Sequence, residues 1–474
     1  MKKNIISLTS LLSAILLFSV TVGAQITNHY DLSAYKLPDY RYRQLITNFE
    51  LSGANNSDNL DDQKFLNRSI DGNIGANYYS YLNSRKTQRT HYLSFNFRGY
   101  SFHDEDPIEY CDNSSVYSSL NYQLYNKRYF ANKTFLVTGV YARYHFGHIG
   151  DSFENQDTIN LTGDATTNEH TVTVSIPLGF GFGRIEQVQD YHEAIYIYED
   201  LLKSQRAVAG KSEEEVMELA TLISRLKNQR YFDSRIKNIQ DIETLDSFLI
   251  ANNYKTLSDA RYFATLVDNW NFVTHFVRES GTSISLEVAP EYDYYQNKRI
   301  LNPADFRYKH KRGSYGIGGG ILFEHRMPLN LYWQANTTVR AMAGYMERTF
   351  KVTDTIVHSD YTSSSPELNM YLTQSLEYYP NTRTRMTASF IAQYDKYFEE
   401  KDVDTDFIML PTRQNIRTGL SLMVDYYISQ RLRLNASSSV YYSNYTIESI
   451  SGIPAQESDR FNSGFNVRLE YSIF

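Results

Sequence analysis

The sequence predicts an all-β transmembrane barrel of about fourteen antiparallel strands, with one inserted α-helical periplasmic subdomain. Three observations predict it. Segment after segment alternates apolar and polar residues with period two, so one face of each strand is greasy and the other polar. The segments run to about fifteen residues, where strands of soluble proteins are usually about 5–6. The chain also opens with an export signal: Lys2 and Lys3, an apolar run from Ile5 to Val20, then Val22-Gly23-Ala24 before Gln25.

The signal is assigned to residues 1–24. No later run is apolar enough for a membrane helix. A mean hydropathy of −0.48 fits a barrel, which hides its apolar residues at every second position. The 41 tyrosines suit a membrane–water boundary, where one end of the ring is wet. Cys111 is the only cysteine, so no intramolecular disulfide forms. A net charge of −7 is mild for this length and gives no footprint for nucleic acid.

Candidate strands lie near 40–54, 68–82, 89–102, 114–127, 133–147 and 168–184, then 280–296, 312–327, 330–347, 366–379, 382–398, 411–428, 430–447 and 459–474. The last is the clearest. Phe461, Phe465, Val467, Leu469, Tyr471 and Ile473 oppose Asn462, Asn466, Arg468, Glu470 and Ser472. Long connections are expected near 55–67, 103–113, 148–167, 297–311, 348–365, 399–410 and 448–458, with short turns between them. That alternation puts long loops outside and both termini in the periplasm. The two parts of the barrel are 25–184 and 280–474, with the insert at 185–279.

The insert has helical periodicity. Ser212 and Glu215 form a capping box, and Val216, Leu219, Ile223 and Leu226 follow on one face. Ile239, Ile242, Leu245 and Leu249 mark a second helix. Ser258 caps a third, with Phe263, Leu266, Trp270, Val273 and Val277 along its stripe. Counting connections places the insert on the periplasmic side. It covers the inner mouth, docks a periplasmic or cell-wall partner, or plugs the lumen; sequence leaves these open.

Chemistry is sparse. His192-Glu193-Ala194-Ile195-Tyr196 starts like a zinc-protease helix, but Tyr196 stands where the second histidine belongs. Asp402, Asp404 and Asp406 lack the glycine and glutamate that complete a calcium loop. Acids around His103 to Asp112 and the basic run from Lys298 to Arg312 read as surface charge, with lipopolysaccharide cations or lipid phosphates as the alternative partners. No serine–histidine pair recommends itself as a catalytic set, so no enzyme, metal or cofactor is expected. The inward positions are more informative. Arg98, Arg143, Arg340, Arg385, Arg417, Arg433 and Arg468 face Glu287, Glu291, Asp293, Glu324, Glu377, Asp395, Asp425 and Glu470. Charges of both signs either filter solutes in a wide lumen or pair up in an occluded one.

Residues 40–474 resemble a bacterial outer-membrane β-barrel protein, with the strand Asn462 to Phe474 as its carboxyl-terminal assembly signal. That resemblance implies the barrel assembly machinery as a partner, and outer-membrane lipid and lipopolysaccharide as surroundings. Tyr471 and Ile473 are offset by one from the terminal Phe474, a departure that a bulge near Ser472 would correct. The run Gly181-Phe182-Gly183-Arg184-Ile185-Glu186 is similar to uncharacterised outer-membrane proteins of Bacteroidota. The resulting expectation is a porin-like passive channel or binding protein for a polar solute or polymer. The alternative is a structural barrel that anchors the insert for an envelope partner.

Overall fold

A computed structural model describes residues 30–60, 63–105, 109–130, 133–155, 161–228, 234–272, 276–302, 306–354, 358–404, 408–429, 432–449 and 454–471. The export signal and Phe474 lie outside them, as do the side chains of Glu470 and Tyr471.

Among the described residues, seventeen strands form one antiparallel sheet. They are β1(Tyr40–Leu60), β2(Gln63–Asn83), β3(Thr87–Glu105), β4(Glu109–Tyr129), β5(Thr134–Asn155), β6(Leu161–Ser175), β7(Leu178–Gln187), β8(Glu279–Asn302), β9(Phe306–Pro328), β10(Trp333–Thr353), β11(His358–Asn381), β12(Thr384–Tyr397), β13(Glu400–Asp402), β14(Ile408–Leu410), β15(Arg413–Tyr427), β16(Leu432–Ile447) and β17(Gln456–Tyr471). Three pairs share a lane of the wall. β6 and β7 both pair with β5 and β8, and are parted only at Ile176-Pro177, where the proline has no N–H to donate. β12 and β13 both pair with β11, and β14 continues into β15. The seventeen strands therefore fill fourteen lanes, the expected number.

The long connections are corrected by the structure. Residues 55–60 and 63–67 are strand, paired as Asn55↔Arg68 and Asn56↔Asn67. The basic run belongs to the β8–β9 hairpin, with Lys298 opposite Lys309. Residues 399–410 hold β13 and β14. Polar residues on both faces there mark strand in water, not the end of strand: the ladder needs only backbone groups.

The wall faces divide as alternation demands. On β8, Ser283, Ser285 and Glu287 are buried on one side, while Ile284, Leu286 and Val288 are exposed on the other. Phe180, Phe182, Ile317, Ile321, Leu420 and Leu422 continue that exposed apolar belt. The sheet rolls so that its polar face becomes the interior. β1 and β17 are its two edges; among the described residues each pairs with one neighbour, β2 and β16.

Among the described residues of the connection between β7 and β8 there are four helices: α1(Gln189–Lys203), α2(Glu213–Asn228), α3(Ser234–Ala251) and α4(Ala260–Phe272). The capping box forms in both directions, with the Ser212 N–H on Glu215 at 2.8 Å and the Glu215 N–H on Ser212 at 3.3 Å. The last helix is capped one residue later than expected, by Asp259, which accepts from the Tyr262 N–H at 2.9 Å. Leu245, Leu249 and Leu266 are buried, but Ile239, Phe263 and Val277 face outward. Periodicity alone predicts their burial; on α4, Tyr262 and Phe272 take the inner places beside Leu266.

The segment before β1 completes this core. Leu32, Tyr35 and Leu37 are buried among the helices. Tyr35 stacks on Tyr191 with ring centroids 5.6 Å apart, and the Asp31 N–H donates to Glu213 at 2.9 Å. This short segment thereby becomes a strap across the insert.

Candidate functional site: the inner face and its helical cap

Cross-strand partners point to the same face, so the ladders show which of these residues share a face of the sheet. Arg98 lies beside Asp71 and bonds it. Arg143 stands opposite Asn121 and Thr173. Glu287, Glu291 and Asp293 alternate along β8, opposite Gly320, Gly316 and Ser314. Glu324, Arg340 and Glu377 share the inner face of β9, β10 and β11. Arg385, Asp395, Arg417, Asp425 and Arg433 follow on the next lanes. On β17 the ladder sets Arg468 opposite Asn435, and the Glu470 backbone opposite Arg433.

Much of this charge is consumed locally. Asp425 is fully buried between Arg385, at 2.7 Å, and Arg433, and also accepts from Asn435 at 2.7 Å. Glu377 bonds Tyr379. Arg417 lies over the Tyr441 ring, 4.6 Å from its centroid. Sequence reading missed several partners. Arg348 binds Glu367 and approaches Glu400 at 3.8 Å, from segments 348–365 and 399–410 that the sequence pattern predicts as loops. Lys127 carried a usable signal, because it continues the inward parity of Gln123 and Tyr125.

At the insert end the interior is bridged by side chains. Lys127 on β4 reaches Glu324 on β9 at 3.2 Å and Ser283 on β8 at 3.1 Å. The Tyr125 hydroxyl donates to Glu287 at 2.8 Å. Arg184 on β7 spans to Asn83 at 2.9 Å and to the Ser84 carbonyl at 3.0 Å. Gly179 and Gly181 make room on the same face: a Cβ on Gly181 would lie 2.3 Å from the Phe135 ring. Phe135 and Val137 fill that space.

The insert is seated on the turns at this end. The Tyr196 hydroxyl donates to the Tyr379 carbonyl at 2.6 Å. His192 bonds the Leu331 carbonyl through Nε2 at 2.9 Å; burial holds its pKa well below the ordinary value, so a neutral ring donates. His192 is thus a seating contact of the insert. Fully buried Arg278 binds the carbonyls of Leu331 at 2.6 Å, Asn330 at 3.0 Å and Trp333 at 3.0 Å, and Gln334 at 3.1 Å.

Within the cap, Lys227 joins two buried carboxylates, Asp190 at 2.8 Å and Glu193 at 2.7 Å. One ammonium cannot neutralise both. Burial pushes the Glu193 pKa up to about 8, against the pull of Lys227. Lys227 itself is held above the ordinary lysine range by its two partners, which outweigh its burial.

Midway along the wall the inner face opens into a hollow of about 300 Å³. Gly318 on β9 and Gly344 on β10 line it without a side chain. Glu291 bounds it on one side, and Arg340, Asn369, Tyr371, Gln393 and Asp395 on the other.

No family model and no curated protein matches this chain. Among solved structures, the translocator domain of the autotransporter NalP from Neisseria meningitidis aligns over 99% of this chain and 98% of its own, at 8% identity and a TM-score of 0.23. The P. putida toluene transporter TodX aligns over 95% and 94%, at 8% identity and a TM-score of 0.28. OmpT, an outer membrane protein of Vibrio cholerae, aligns over 91% and 99%, at 8% identity and a TM-score of 0.20. Likeness at these scores carries no weight for this chain. Its own geometry does: a fourteen-lane antiparallel wall, an apolar belt outside and a polar interior are the architecture of an outer-membrane β-barrel.

Proposed function

We propose that this chain spans the outer membrane of a Gram-negative bacterium as a passive channel or binding barrel for a polar solute or polymer, with the helical insert capping its periplasmic mouth. The contrast along β8 carries the reading: Leu286 is 62% exposed on the outer face, and Ser285 beside it is 2% exposed on the inner. Lipid favours the first face and excludes the second. Lipopolysaccharide then surrounds the projecting hairpins, and the barrel assembly machinery inserts the chain. The reading assigns no catalytic step and needs no cofactor.

Planar-bilayer conductance tests it. A stable current that changes on Arg340→Glu supports passage. A silent bilayer from correctly folded protein removes it.

One observation favours a second reading, a closed barrel that anchors its insert for an envelope partner. Lys127, Tyr125 and Arg184 bridge the interior at the insert end. On that reading conductance stays absent even after residues 189–272 are deleted, and a periplasmic partner is lost with them.

A further inference from the structure

We infer that the mid-wall hollow is a binding subsite for an uncharged polyhydroxylated solute, a stretch of neutral oligosaccharide. This rests on the inner face being the solute's path, and names the class of solute.

The first argument is what the wall no longer offers. Asp71 is held by Arg98, Asp425 by Arg385 and Arg433, Glu324 by Lys127 and Arg326, and Glu367 by Arg348. At the hollow Glu367 is held by Arg348, and Arg340 offsets one of the two remaining carboxylates, Glu291 and Asp395, so the net field left to select an ion is small. Between them lie groups that both donate and accept. One rung runs Asn336, Ser375, Ser389, Ser421, Ser439 across five lanes. Amides and hydroxyls present a donor and an acceptor within one small group, and so does each hydroxyl of a sugar.

The second argument is the hollow itself. Gly318 lets a ring approach the β9 backbone, since a Cβ there would meet nothing nearer than 3.8 Å. Around the hollow the ladders set two rungs side by side: Arg340, Tyr371 and Gln393, then Met342, Asn369 and Asp395. Gln393 already bonds Asp395 at 2.8 Å, which fixes an amide and a carboxylate as one unit. A carboxylate accepts from two neighbouring hydroxyls, and a guanidinium or amide donates to them. The Tyr371 ring and the thioethers of Met342 and Met346 supply flat, weakly polar surface for the C–H face of a pyranose. The small volume suits one or two sugar units of a longer chain.

Calorimetry on the full chain in detergent, with maltohexaose, spermidine and citrate as probes, tests this beside the bilayer experiment. Saturable maltohexaose binding, weakened tenfold or more by Asn369→Leu with Gln393→Leu and unchanged by Asn121→Leu elsewhere on the inner face, is expected. Should the double variant fail to fold, Arg340→Met replaces it, with the same tenfold loss expected. Binding of spermidine or citrate without maltohexaose overturns the solute class. Maltohexaose binding that ignores the hollow's variants overturns the location, and no saturable binding overturns both. Binding without conductance sustains the subsite and removes passage; conductance without binding does the reverse.

Discussion

Lys127 and Glu324 meet at 3.2 Å although they sit on β4 and β9, four lane steps apart. Four steps are about 19 Å of wall. Only a sharply rolled sheet brings them together, so this pair reports both the curvature and the closure of the interior at the insert end. Replacing Lys127 by Ala leaves Glu324 with Arg326 alone and costs about 2 kcal/mol. If the bridge restricts passage, single-channel conductance of Lys127→Ala rises above wild type; an unchanged current shows that the constriction lies elsewhere.

The Asp190–Lys227–Glu193 cluster gives the cap a pH dependence. Folding raises the Glu193 pKa from 4.5 to about 8, so the folded cap favours the protonated carboxyl. Its stability contribution is full below about pH 4.5 and is lost as pH rises through about 8, by a few kcal/mol at most. The protection of α1 and α2 against hydrogen exchange, corrected for the base-catalysed intrinsic rate, is therefore expected to fall from pH 5 to pH 8. Glu193→Gln should flatten that trend; a variant as pH-sensitive as wild type would place its origin outside this cluster.

Arg278 fastens the insert to the β9–β10 turn through four acceptors. Arg278→Ala strips charge-assisted bonds from several buried carbonyls, a loss of about 3 kcal/mol or more. Lysine cannot reproduce the planar fork, so Arg278→Lys restores little. Limited proteolysis is expected to release the insert early in both variants while the barrel stays heat-modifiable.

The strap before β1 contributes to the same core. Tyr35→Ala removes a ring stacked on Tyr191, at a cost of about 3 kcal/mol. Thermal melting followed at the helical signal should shift down with the strand signal unmoved. Equal shifts in both would mean that cap and wall unfold as one.

The two sheet edges make a geometric prediction. Unpaired backbone groups are too costly in lipid, so β1 and β17 must engage each other or another strand. Even positions face inward on both, as Gln44↔Tyr79 and Asn435↔Arg468 show. Closure therefore allows disulfides between Gln44→Cys and Asn466→Cys or Arg468→Cys, and none with Val467→Cys. Oxidation of these double variants in native membranes reads the parity directly; no crosslink in any of them would mean that each edge has found a different partner.

The sequence by itself determined the wall. Period two in β8 and β17 told inside from outside residue by residue, because facing follows from strand geometry and needs no knowledge of neighbours. The capping box at Ser212 and Glu215 was legible for the same reason: both groups lie within one helical turn. The tall hairpins were not legible, since strand in water loses its apolar signature while keeping its ladder. Nor were the Lys127–Glu324 bridge, the seating of Arg278 on three carbonyls, the Tyr35 strap or the hollow beside Gly318. Each joins residues remote in the chain, and only the roll of the sheet and the docking of the insert decide which of them meet.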